Sequence, residues 1–169
     1  MHFPLHPETP VEGKSIAELF PGRDLEPMRQ RMRTLMQEAG LPYGDRTHTF
    51  NSRLAQELGK WADTQPGGDT IHDLLFRAYF VDARNIGDIE QLVQIAGDAG
   101  LDMVAARRVL ENREFEAEVD ADWARSRATG VTGVPTFVNS DLAVVGCQPY
   151  ETLERFVQHL MSLQSENKS

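Results

Sequence analysis

Cysteine is almost missing from this chain: 169 residues contain one, Cys147. A lone cysteine can form no internal disulfide, no thiolate metal cluster and no Cys-x-x-Cys redox pair. Long apolar runs are missing too, and without one of about 20 residues no helix spans a bilayer. The start, Met1-His2-Phe3-Pro4-Leu5, has neither the basic region nor the apolar core of a secretory signal, so a cytoplasmic protein is expected. Positive charge is in deficit, with 17 Lys and Arg against 26 Asp and Glu and a formal net charge of -9. Such a surface repels polyanions, and neither nucleic acid nor an acidic membrane is expected as a partner. The histidines, at 2, 6, 48, 72 and 159, form no helical His-x-x-x-His; His2 and His6 have the interval, but Pro4 and Pro7 keep that segment extended. No metal site is expected. There is no Gly-x-Gly-x-x-Gly after a strand, no Walker loop and no Gly-x-Ser-x-Gly elbow. Asp120 and Asp122, two apart on a helix, diverge and do not form a carboxylate pair.

What remains is enough chain for one domain, 1–169, with a substantial core. Residues 1–23 carry Pro4, Pro7, Pro10 and Pro21 and read as an extended lead-in, with Ser15 able to cap a short turn through Leu19. From 24 to 129 the period is helical. Leu25, Met28, Met32, Leu35 and Met36 share one face; this Met-rich stripe resembles an adaptable peptide-binding surface, but gap-filling core is the commoner use of Met at this spacing. Asn51 caps a helix with Leu54, Leu58 and Trp61 inward, and Asp69 or Thr70 opens one so apolar, from Ile71 to Val81, that a central position is expected. Asp88 and Asp102 start two more. Phe115, Val119 and Trp123 mark a last one, whose acidic beginning and Arg125 and Arg127 suit the helix dipole and read as a solvated face.

After residue 130 the pattern changes. Gly130-Val131-Thr132-Gly133-Val134-Pro135-Thr136-Phe137-Val138 is a glycine-punctuated loop running into a β-branched strand, and its Val-Pro bond adopts the cis form more cheaply than any other peptide bond. Thr136-Phe137-Val138 and Leu142-Ala143-Val144-Val145, joined by Asn139-Ser140-Asp141, read as a hairpin. Pro149 then opens a final helix with Tyr150, Leu153, Phe156, Val157, Leu160 and Met161 inward, leaving 164–169 as a polar tail.

This loop, followed by Gly146-Cys147-Gln148-Pro149-Tyr150-Glu151, resembles the C-terminal half of a DsbA-family thioredoxin-fold protein of the FrnE-like branch. The resemblance extends to Phe3-Pro4-Leu5-His6-Pro7-Glu8, Asn51-Ser52-Arg53-Leu54-Ala55 and Leu75-Phe76-Arg77-Ala78-Tyr79-Phe80. It implies an α/β, mainly helical fold: the β-β-α half of a thioredoxin fold over 130–163, an inserted helical subdomain over 24–129, and Met1 to His6 as the end of the second thioredoxin strand. It also implies a truncated member, because the first strand and the helix that carries Cys-x-x-Cys have no counterpart here. The missing strand would lie beside the Thr136 strand, so an open apolar edge is expected, with aggregation or a homodimer formed by strand exchange.

The activity implied by the resemblance is thiol-disulfide exchange with a protein or small-thiol substrate. Val134, Pro135 and Thr136 would form the cis-proline wall of the substrate groove, and Val134 would offer its backbone to an extended peptide. Cys147, between a strand end and a helix start, is a candidate reactive thiol, although isolated cysteines are commonly small buried apolar residues. Two alternatives stand beside this. One is a glutathione-dependent isomerase or transferase of the kappa-like branch, with glutathione as cofactor, although Gly146-Cys147-Gln148-Pro149 lacks the charged group such proteins use. The other is a non-catalytic peptide- or partner-binding module.

Overall fold

The computed structural model describes residues 1–139 and 142–166, the last three by backbone alone. The turn residues Ser140 and Asp141, and the tail beyond Glu166, lie outside the described residues. The chain falls into two compact units, one of Pro4–Asp120 and the other of Met1–Phe3 with the chain from Ala121 on.

The larger unit is helical. Ser15 closes a capping box with Glu18 at the start of α1 (Ile16–Leu19), and α2 spans Glu26–Glu38. Two short strands, β1 (Lys14–Ser15) and β2 (His48–Thr49), pair antiparallel in the register Lys14 with Thr49. The core belongs to α3 (Arg53–Ala62), α4 (Ile71–Phe80), α5 (Ile89–Asp98) and α6 (Met103–Glu111). Leu58, Ile71, Leu92, Ile95, Val109 and Leu110 are fully buried there, each contributing about 1.5–3 kcal/mol relative to exposure. Asp88 and Asp102 cap α5 and α6 by accepting the amides of Gln91 and of Val104 and Ala105. Asn51 acts one position before the N-cap of α3: its carbonyl accepts the Arg53 amide while its NH2 donates to the Pro7 and Thr9 carbonyls.

Three expectations change. The Met-rich face of α2 is not core: no residue of that helix is buried, and Met28 remains 51% exposed. The core closes with α3 to α6, and α2 is tied to the following segment by the Arg33–Asp45 ion pair, while the Arg33–Glu26 pair lies within the helix. Helix α4 is less central than its composition suggests. It buries Ile71 and Ala78, while Phe76 stays exposed and stacks on Phe80. Met1 to His6 is not a strand. The His2 amide donates to the Asp122 carboxylate, and His6 turns the chain with a left-handed φ of 52.

Helix α7 (Glu116–Ala128) carries the chain across the boundary of the two units. The smaller unit then contains the antiparallel hairpin of β3 (Thr136–Asn139) and β4 (Leu142–Val145), and α8 (Tyr150–Glu166), which runs three residues past the expected helix end at 163. Register pairs Thr136 with Val145 and Phe137 with Val144. Beyond Val119, no described apolar side chain is fully buried, and Phe137, Val145 and Met161 are exposed. Mainly helical, and ending strand, strand, helix, the fold class is the one the sequence indicates.

Candidate functional site

The loop before β3 begins where α7 stops. The Val131 amide bonds back to the Ser126 carbonyl and the Gly130 amide to Arg127, with Gly130 left-handed at φ 69. This is the glycine-terminated helix end in which both last-turn carbonyls find donors. Three residues on, Gly133 has open space around the position a Cβ would occupy and needs no unusual backbone.

The Val134–Pro135 peptide is cis. Thr136 Oγ1 donates to the Gly133 carbonyl at 2.6 Å, closing a ring around that peptide. On the other strand the Gly146 amide donates to the Pro135 carbonyl at 2.8 Å, so the ladder continues one position beyond the Thr136–Val145 pair. Gln148 Nε2 donates to the Val145 carbonyl, and the Pro149 carbonyl accepts from Thr152 and Leu153 as the first turn of α8 forms.

Val134, Pro135, Thr136 and Cys147 are thereby brought to one end of the hairpin. Val134 is 52% exposed, Thr136 is half-buried, and Cys147, a free thiol, is exposed rather than a buried apolar filler. The edge of β3 away from β4 carries no strand among the described residues. An exposed loop beside an open edge can receive an extended peptide by strand addition. Among the described residues no group of three His, Cys, Asp or Glu side chains is placed to hold a metal ion.

Sequence reasoning missed an ionic cluster in the larger unit. Glu57, 1% exposed, accepts from Arg53 Nε at 2.6 Å and from Arg113 Nε and Nη2 at 2.8 and 2.6 Å. Burial would raise its carboxyl, but the hydrogen bonds from Arg113 and Arg53 outweigh burial and hold it below the usual glutamate range. Arg53 also reaches Asp120 at 2.7 Å and Arg113 reaches Glu116 at 3.2 Å, so part of the acidic start of α7 is paired rather than only solvated. The cluster ties α3 to the turn before α7 and is structural.

This cis-proline loop, hairpin and closing helix, with a helical unit inserted ahead of them, define a thioredoxin-type protein of the DsbA kind. The chain belongs to the DSBA-like thioredoxin domain family, whose pattern matches residues 1–158. It is similar to a probable DsbA oxidoreductase from Streptomyces coelicolor, with a TM-score of 0.79 and 28% identity over 95% of this chain and 72% of that one. A 2-hydroxychromene-2-carboxylate isomerase shares the fold, with a TM-score of 0.68 and 19% identity over 95% of this chain and 82% of that one. The uncharacterized protein YwbO of Bacillus subtilis (strain 168) is 29% identical over 105 residues, 62% of this chain. The chain spans about half the length of that curated relative, 52%. No helix among the described residues is long and apolar enough to cross a membrane.

Proposed function

We propose that this chain works as the cis-proline, substrate-holding half of a cytoplasmic thiol-disulfide oxidoreductase of the FrnE-like branch. The observation that carries the reading is the exposed cis Val134–Pro135 loop, stapled by Thr136 and continuous with the open edge of β3. In the proposed reaction a thiolate attacks one sulfur of a substrate disulfide and expels the other as a thiolate. A second thiol then attacks the mixed disulfide, leaving the substrate reduced by two electrons and the dithiol oxidised to a disulfide. With Cys147 as its one thiol, the sequence can enter a mixed disulfide but cannot resolve it. The proposal therefore assigns these residues the binding step and assigns the dithiol to residues other than these. The open β3 edge and the exposed Phe137 and Val145 also favour self-association through this hairpin.

The test combines binding with turnover. A fluorescent peptide containing a disulfide should bind the chain saturably, and Val134→Asp should weaken it about tenfold, while the chain alone should not catalyse insulin reduction by dithiothreitol. Absence of saturable peptide binding refutes the reading. Insulin reduction that disappears in Cys147→Ser would replace it with single-thiol catalysis. Glutathione is the alternative ligand, supported by the fold shared with an isomerase and opposed by the uncharged Gly146-Cys147-Gln148-Pro149 segment. Retention on immobilised glutathione would favour it.

A further inference from the structure

The larger unit contains a polar cleft of about 260 Å³ between α2 and the segment before β2, lined by Arg29, Arg33, Tyr43, Asp45, Arg46 and Thr47. Its charge runs against that of the chain. Three guanidiniums stand against two carboxylates, Asp45 and the Glu26 that pairs with Arg33, on a protein of formal net charge -9.

The donors are unequally used. Arg33 is the one already paired with carboxylates, giving Nη1 to Glu26 at 3.0 Å and Nη2 to Asp45 at 2.7 Å. Arg46 gives Nη1 to the His48 carbonyl and to Tyr79 Oη, which leaves Nε and Nη2 without acceptors among the described residues. The Arg29 guanidinium makes no hydrogen bond or close ion pair there, although, second to Arg33, its charge helps hold the Asp45 carboxyl below its usual range, and the Tyr43 hydroxyl has no partner among the described residues. A guanidinium carries five donors in a fixed fork that matches the paired oxygens of a carboxylate or phosphate.

The site is also held in shape before any ligand arrives. Arg46 lies 4.3 Å from the centroid of the Tyr79 ring, the Gly44 amide bonds to the Phe80 carbonyl at 2.9 Å, and the Arg33–Asp45 pair fastens α2 to the segment. Such preorganisation lowers the ordering cost of binding.

We infer that this cleft binds a small oxyanion, a carboxylate or a phosphate, between Arg29 and Arg46, with the Tyr43 hydroxyl as a third donor. Glu26 and Asp45 neutralise Arg33, so the ligand is held by the two arginines that make no close ion pair with a carboxylate among the described residues. The site is independent of the cis-proline loop and of the redox reading.

The experiment is a titration of the isotope-labelled full chain with sodium phosphate and, separately, sodium succinate, with ionic strength held constant by sodium chloride. Saturable shifts of the Arg29 and Arg46 side-chain N–H signals are expected for at least one probe. Response to phosphate alone identifies a phosphorylated ligand, and response to succinate alone a carboxylated one. Arg29→Gln should weaken binding at least tenfold. Arg31→Gln, which removes the same charge from α2 outside the cleft lining, should leave it unchanged. Absence of saturation with both probes overturns the proposal, as does equal weakening by both variants. Unchanged circular dichroism confirms that Arg29→Gln is folded.

Discussion

The Thr136 hydroxyl donates to the carbonyl of Gly133 at 2.6 Å, joining the first residue of β3 to the loop three residues before it. Thr136→Val keeps the side-chain shape and removes the donor. About 1 kcal/mol should be lost, the usual net worth of one such bond. Urea unfolding of the two proteins measures the difference, and equal midpoints would mean that the hydroxyl contributes nothing to the loop.

The two loop glycines should respond differently to the same substitution. Gly130 sits at φ 69, where a Cβ costs about 1–2 kcal/mol, so Gly130→Ala should destabilise by that amount. A Cβ on Gly133 meets nothing within 4 Å, so Gly133→Ala should change stability by less than about 0.5 kcal/mol. If Gly133→Ala nevertheless weakens peptide binding, the open space belongs to the substrate.

Glu57 makes stability depend on acid pH. Its carboxyl titrates lower in the folded chain than in the unfolded one, so the unfolded chain binds the proton first as pH falls. The stabilisation is complete well above the ordinary glutamate value of 4.5 and declines as pH falls from there through the folded value. Glu57→Gln should cost about 3 kcal/mol at neutral pH, because it leaves Arg53 and Arg113 without their shared carboxylate. The variant should also flatten the acid limb of a plot of melting temperature against pH. An unchanged acid limb would transfer that dependence to other carboxylates.

Cys147 is exposed and unpaired. A thiol reagent should therefore modify one thiol per chain in the native protein, at a rate close to that of the denatured chain. Protection in the native state, lifted by denaturant, would contradict the exposed placement.

Much of this was legible in the sequence. The caps Ser15, Asp88 and Asp102, the inward Leu58 and Trp61, and the two strands after Gly130 all follow from local rules, because each is decided by neighbours a few residues away. What escaped depends on distant partners. The α2 methionines have helical spacing, yet spacing alone does not say whether anything lies opposite. Glu57 could have been noticed, since it falls three residues after Leu54 on the inward face of α3. Arg53, four residues earlier, lies within reach by helical spacing, but the second partner of Glu57, Arg113, 56 residues away in sequence, could not be read. The backbone bond from Gly146, the residue before Cys147, to the Pro135 carbonyl depends on the exact hairpin register, which strand pattern alone does not fix.

Among the described residues the fully buried apolar side chains end at Val119, and this also sets a time order. Amides in α3, α5 and α6 can exchange with solvent only when the helical core opens, whereas those of β3, β4 and α8 lie among side chains that water already reaches. A chain transferred to heavy water would record the difference as two clocks, a slow one in the scaffold and a fast one in the segment that carries the cis-proline loop.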